Sequence, residues 1–259
     1  MMKTTLSKDG TTLAYNVTGN GPALIFITGA TCYREFNPVL YDVSVFSTEF
    51  TVYNYDRRGR GDSGNTLPYA VEREIEDIEA MIDAAGGQAF LYGHSSGAIL
   101  ALKAALTLGN KVSKLAMYDA AYCPDAASLE EFKALSSDLY QLLQAGKNQE
   151  AITGFLEGIG IPQEAFESLY PDWQIMVDLA PTLAYDTTLA SALPPVKEVA
   201  GLTTPAQIIV GEKSPESLQA VAQQLREAIP NAVYTVAKGQ DHLPAAEVVL
   251  SVLTAFFKS

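Results

Sequence analysis

Histidine and cysteine are scarce in this chain of 259 residues, with two of each beside a single tryptophan. Cys32 and Cys123 cannot build a disulfide framework, and neither has ligands around it at metal-binding spacing. Free thiols, no metal and no cofactor are therefore expected. No run approaches the ~20 apolar residues that cross a bilayer, and the opening residues Met1 to Gly10 lack the apolar centre of a secretory signal. The expectation is a cytoplasmic protein. Positive charge is also in short supply, 17 Lys and Arg against 30 Asp and Glu, for a net charge of −13. That imbalance repels nucleic acid and anionic membrane surfaces, which leaves a small molecule as the expected partner and says nothing of oligomeric state. There is no internal repeat or low-complexity segment. What the chain does have is 48% hydrophobic residues, enough for one large α/β domain with a substantial core.

Apolar runs and turn residues alternate along most of the length. Thr4 to Leu6 and Thr11 to Val17 read as strands joined by a tight turn at Asp9-Gly10. Ala23 to Ile27 is a continuous apolar run of strand length, as in a strand buried on both faces, and Phe50 to Tyr55 is another strand. Val71, Ile75, Ile78 and Ile82 recur at helical spacing among acidic residues, an amphipathic helix stopped by Gly86-Gly87. Lys114 to Tyr118 is the next strand, ending at Asp119. From Ala120 to about Pro195 strand patterns vanish. Helical stretches there (Ser128 to Gln144, Gln149 to Leu156, Glu164 to Leu169, Trp173 to Leu179) are broken by Gly146, Gly158, Gly160, Pro162, Pro171 and Pro181. Alternation then resumes: Ala206 to Val210, Leu218 to Ile229, Ala232 to Ala237 and Val248 to Phe257. A helical insertion placed just after a sheet strand is expected to act as a lid.

Within Phe90 to Leu100 lies Gly93-His94-Ser95-Ser96-Gly97, with an apolar run before it and a helical pattern after it. A sharp strand-to-helix turn of this kind, an elbow leading into its own helix, lifts the serine hydroxyl above the sheet edge, and the flanking glycines let neighbouring backbone pass. A serine hydroxyl is a poor nucleophile at neutral pH, so it needs a base from elsewhere in the chain. Only two histidines are available. His94 adjoins Ser95 on the tight turn and is expected to point away and pack beneath it; His242, in the loop Lys238 to Pro244, is the candidate base. Thr28-Gly29-Ala30-Thr31 follows a buried strand and can present backbone N–H groups to an oxyanion, or be a plain turn. Asp56 to Gly64 carries three arginines, but no helix opens on its glycines and no lysine follows, so a structural turn is the better reading than a phosphate cradle.

With Gly93 to Gly97, Asp56-Arg57-Arg58-Gly59-Arg60-Gly61-Asp62-Ser63 and Gly239-Gln240-Asp241-His242 in this order, nearly the whole chain resembles the α/β-hydrolase superfamily. The resemblance implies a mostly parallel eight-stranded sheet flanked by helices, with a helical cap inserted after the sixth strand. Residues 1–119 and 196–259 would form the core domain and 120–195 the cap. It also implies a Ser, acid, His triad working through an acyl-enzyme, with Ser95 as nucleophile, His242 as base, and the N–H groups of Ala30 and Ser96 as oxyanion hole. Two departures stand out. Thr28-Gly29 replaces the His-Gly of many members, and Ser214 stands after the strand Ile208 to Val210, where the acid usually lies.

Ser214 carries no charge, so the acid must come from elsewhere. Asp119 ends the strand next after the elbow helix and projects at the same sheet edge as Ser95; some members of the superfamily carry their acid there. Glu212 and Glu216 remain alternatives, whereas Asp241 adjoins the base too closely to reach its far nitrogen. Hydrolysis of a small carboxylic ester or lactone is the leading expectation. A C–C bond hydrolase or a cofactor-free oxygenase is the enzymatic alternative, and a small-molecule receptor retaining the triad is the alternative of another class. Thr31, Tyr33, Tyr122, Trp173, Met176 and Tyr185 are candidates to line the substrate pocket.

Overall fold

Strands and helices alternate in the computed structural model, which describes residues 1–159 and 161–259; Gly160, one of the expected helix breaks, lies outside them. In chain order they are β1 (Lys3–Leu6), β2 (Thr12–Thr18), β3 (Ala23–Ile27), α1 (Asn37–Phe46), β4 (Thr51–Tyr55), α2 (Val71–Ala84), β5 (Ala89–His94), α3 (Ser96–Leu108) and β6 (Val112–Tyr118). Five helices follow: α4 (Ala126–Gln144), α5 (Asn148–Gly158), α6 (Phe166–Leu169), α7 (Trp173–Leu179) and α8 (Leu183–Ala190). The chain closes with β7 (Ala206–Gly211), α9 (Glu216–Ala228), β8 (Val233–Ala237) and α10 (Ala246–Phe257). The strands form one eight-stranded sheet in the order β1-β2-β4-β3-β5-β6-β7-β8. Only the β1/β2 and β2/β4 pairs are antiparallel. At the first hairpin, Gly10 takes φ +86°, a left-handed conformation suited to glycine.

Because β3 and β5 are neighbours in space with β4 lying outside them, the strand order reverses at the middle of the sheet. Loops leaving the carboxyl ends of β3 and β5 then diverge and leave a crevice. Alternation along β3 divides its side chains between two layers. Ile25 and Ile27 join a cluster with Ile75, Ile78 and Ile82 of α2 and Ile99 and Leu102 of α3. Leu24 and Phe26 face the other way, toward Val39, Val43 and Phe46 of α1 and Val249 and Leu253 of α10.

Two helices have no counterpart in the sequence reading. α1 follows Phe36 with Pro38 in its first turn, and its short apolar set is diluted by Asn37, Ser44 and Asp42. α8 runs through Thr187 and Thr188, residues that favour strands locally; packing between α3 and α4 overrides that preference. The five helices between β6 and β7 have a cluster of their own, including Leu139, Ile152, Leu156, Phe166, Met176 and Leu183.

The arginine-rich turn after β4 is built on paired charge. Arg58 is fully buried, with Asp77 at 2.7 Å and Asp9 at 3.0 Å. Arg57 meets both carboxylate oxygens of Glu74 at 2.7 Å. Gly61, at φ +49°, is where a Cβ would sit 2.3 Å from the Asp56 carboxylate, so only glycine lets that turn close. Removing one partner of a buried pair strands the other. Arg58→Met should lower the unfolding free energy by ~3–5 kcal/mol in urea titrations.

Candidate active site

The local geometry of Ser95 follows from how little space surrounds it. Its backbone sits at φ 59°, ψ −123°, a conformation that costs a non-glycine residue free energy and persists only where surroundings enforce it. A Cβ on Gly93 would lie 2.4 Å from the Gly97 carbonyl oxygen, and one on Gly97 would lie 2.2 Å from the Ile27 carbonyl oxygen. Glycine at both places is what allows β5 to turn into α3 against the end of β3. The Ser95 N–H donates to the Tyr118 carbonyl at 3.0 Å, so the elbow is tied to the next strand.

That strand carries Asp119, 1% exposed, whose φ of 47° turns it out of β6. Its Oδ2 accepts from His242 Nδ1 at 3.0 Å and from the Ser214 hydroxyl at 2.6 Å, while Oδ1 accepts from the Gly211 N–H at 3.3 Å. Since Nδ1 carries the hydrogen in this bond, Nε2 of a neutral imidazole keeps its lone pair. β6 and β7 are paired neighbours, so an acid at the end of β6 reaches the same imidazole while Ser214, beyond β7, acts as its donor. Glu212 instead accepts from the Gly239 N–H at 2.8 Å on the surface, and Glu216 begins α9. Asp241 bonds the Leu243 N–H. Among the described residues, Ser95 Oγ and His242 are not hydrogen-bonded to each other, yet both line one cavity.

His94 does not pack beneath the elbow. Its Nε2 donates to the His242 carbonyl at 2.8 Å, and the two rings lie 4.9 Å apart between centroids. The Tyr118 hydroxyl donates to the neighbouring Asp241 carbonyl at 2.6 Å. Two side chains from β5 and β6 thus grip the backbone of the loop that carries His242. Burial, and next the proximity of His242, push the His94 pKa down to about 4.

Ala30 lines the cavity beside Ser95, in a loop fastened from behind. Arg60 Nη1 donates to the Gly29 carbonyl at 2.6 Å and to the Cys32 carbonyl at 3.2 Å, and its Nη2 meets Asp186 of α8 at 2.5 Å. The Gly29 carbonyl belongs to the same peptide unit as the Ala30 N–H, so the guanidinium fixes the plane in which that N–H points. Asp186 also accepts from Arg57 and from the Ser96 hydroxyl, each at 2.7 Å. Burial acts to raise its carboxyl pKa, but the charges of Arg60 and Arg57, with the Ser96 bond, outweigh it and hold the group below its ordinary value. Ser96 itself does not line the cavity; its side chain turns inward and its backbone opens α3. No local signal in the sequence announces Asp186, because its partners lie 126 and 129 positions away.

The cavity holds about 370 Å³. Of the residues expected to line it, Thr31 does. Tyr33 and Met176 line a smaller adjoining pocket of about 190 Å³ that shares Phe36 and Tyr170 with it. Tyr122 is buried in the main core. Trp173 stacks on Phe166 at 5.1 Å inside the helical insertion, and Tyr185 stacks on Tyr69 at 3.8 Å. These three rings satisfy their apolar area by packing against protein and so leave the cavity to others. The insertion contributes Phe155, Ile159, Ile161, Leu169 and Tyr170 to its wall.

The model of the alpha/beta hydrolase family matches residues 24–249. A solved alpha/beta hydrolase from Sphaerobacter thermophilus DSM 20745 is 38% identical, covers 98% of this chain and 100% of its own, and superposes with a TM-score of 0.86. The esterase EaEST of Exiguobacterium antarcticum superposes with a TM-score of 0.81 over 100% of both chains at 20% identity, a likeness of fold. Proline iminopeptidase PfmaB of Pestalotiopsis fici is 29% identical over 112 residues, which are 41% of this chain and 40% of that protein. The chain therefore aligns with less than half the length of that relative.

A ring held near pKa 4 stays neutral through the neutral range. In a proton–carbon NMR titration, the His94 resonances should be flat from pH 8 to about 5.5 and move only toward pH 4. The unfolded chain takes up this proton near the ordinary 6.5, so His94 withdraws stability as pH falls from 6.5 toward 4. The difference in stability between wild type and His94→Gln should change across that window and be constant above it.

Proposed function

We infer that this chain, which belongs to the alpha/beta hydrolase family, is a serine hydrolase that cleaves a small carboxylic ester or lactone through an acyl-enzyme. The observation that carries the reading is that Ser95, on its strained elbow, and His242, bonded through Nδ1 to the buried Asp119, line one cavity. In the proposed reaction, Ser95 Oγ attacks the carbonyl carbon while His242 Nε2 takes its proton. Asp119 holds the imidazole in the required tautomer and stabilises the cation that forms. The oxyanion is received by the N–H groups of Ala30 and Ser96. Collapse of the tetrahedral adduct breaks the carbon–oxygen bond, and His242 returns the proton to the leaving alkoxide. Water then attacks the acyl-enzyme with His242 again as base, and Ser95 is released.

Cys32 also lines the cavity, but burial pushes its thiol up to about 11, so the thiolate is absent at neutral pH and Ser95 remains the nucleophile. The unmade bond between Ser95 and His242 accords with catalytic hydrogen bonds that tighten only around substrate. The helices at 120–195 take the part of a cap in this reading. Phe155, Ile161 and Tyr170 are its contribution to substrate choice, in place of Trp173.

Three measurements test the assignment. Ser95→Ala should abolish ester turnover and labelling by a fluorophosphonate probe without lowering the melting temperature; full activity in that variant would sink the nucleophile assignment. Asp119→Asn should cut kcat by up to ~10⁴, and unchanged kcat there together with collapse in Glu212→Gln would move the acid to Glu212. Tyr170→Ala should change the ranking of esters of different acyl size, whereas Trp173→Ala should chiefly lower stability.

A further inference from the structure

Three polar groups in the cavity have no part in the reaction just described. Thr28 is 3% exposed and its hydroxyl has no hydrogen-bond partner. Tyr92 is 2% exposed, and among the described residues neither its hydroxyl nor the Asp42 carboxyl enters a hydrogen bond or ion pair. All three line the cavity.

Their placement brings them to one end of it. Thr28 follows Phe26 by two residues and so faces the α1 side of the sheet with it. Tyr92 is the register partner of Phe26 on β5, with rings 5.3 Å apart. Asp42 lies one helical turn before Phe46 on α1, and the Phe46 ring is 5.5 Å from Phe26 and 5.6 Å from Tyr92. The charge of Asp42 is felt at both Tyr92 and Cys32. Burial, and then Glu247 of α10, push its own carboxyl up to about 7.

A carboxylate left without a partner among apolar walls is costly, and a bound cation is the direct remedy. Among the described residues no lysine or arginine lines the cavity to serve as one. An alkylammonium offers three N–H donors to three acceptors that have no partner among the described residues, the Asp42 carboxylate and the hydroxyls of Thr28 and Tyr92. A carboxylate or phosphate would instead meet charge of its own sign. We propose that the end of the cavity formed by Asp42, Thr28 and Tyr92 binds an ammonium group, and that the substrate is an amine-bearing ester. The substrate half of this rests on the hydrolase reading; the binding half does not.

Calorimetry with hexylammonium and 1-hexanol, matched in length, tests the site on the intact protein at pH 8. The ammonium should bind ~10-fold more tightly, and Asp42→Asn should remove that preference, with Thr28→Val weakening it. Equal affinities in the wild type, or an undiminished preference in Asp42→Asn, would overturn the site. Among the described residues Asp42 makes no hydrogen bond or ion pair to lose, and a carboxyl raised by folding from the ordinary 3.8 to about 7 withdraws stability as pH rises through that window, with the full loss in place above about pH 7. Asp42→Asn should therefore melt no lower than wild type at pH 8. The wild-type comparison of the two ligands holds even if a variant fails to fold. In parallel, kcat/KM for methyl 6-aminohexanoate should exceed that for methyl heptanoate by ~10-fold. Ammonium preference without fluorophosphonate labelling of Ser95 keeps the site and defeats the hydrolase reading. Labelling without ammonium preference does the reverse.

Discussion

A carboxylate shut away from water has to be paired on nearly every lone pair, and Asp186 meets that demand by drawing in Arg57, Arg60 and the Ser96 hydroxyl. Those partners come from the turn after β4 and the first residue of α3, and Asp186 itself comes from α8. One buried charge thereby fastens the helical insertion to the loop after β3 and to the start of the elbow helix. The Gly29 carbonyl completes the assembly through Arg60. An insertion joined to the sheet only by apolar contacts could slide; one whose carboxylate takes a separate guanidinium on each oxygen is held at a defined place.

The rest of the site is arranged by proximity within the sheet. Ser95 and Asp119 stand at the ends of adjacent strands, where His94 pairs with Tyr118, so their separation is set by the ladder rather than by loops. The end of β6 lies within reach of the His242 loop and of the end of β7, its neighbour in the sheet. Ser214, beyond β7, donates its hydroxyl hydrogen to Asp119.

How much of this can be seen in the residues alone depends on the range of the interactions. The isoleucine spacing of α2 and the apolar run of β3 are one-dimensional patterns and survive in the sequence. The elbow is equally visible, since its glycines flank its serine. Asp119 is legible through topology: consecutive parallel strands joined by a helix are most often neighbours, as β5 and β6 are, which sets the end of β6 beside Ser95. α8 is not, because Thr187 and Thr188 favour another conformation and only contacts with α3 and α4 decide it. The cavity wall is the least legible part. Aromatic residues such as Trp173 and Tyr185 are equally suited to a pocket and to stacking on other rings, here Phe166 and Tyr69. Thr28, Asp42 and Tyr92 matter for lacking partners, and absence of a partner leaves no trace in a sequence.

His242 is attached differently from Ser95 and Asp119. Ser95 and Asp119 are spliced into backbone ladders, whereas His242 rides on a connecting loop held by side chains, His94 on its own carbonyl and Tyr118 on that of Asp241. The centre thus has a stiff half and a detachable half. On heating, the loop can undock while every strand remains paired. Loss of the Asp119–His242 contact on heating is therefore expected ahead of global unfolding, at a temperature set by the anchors of this loop rather than by the strength of the core.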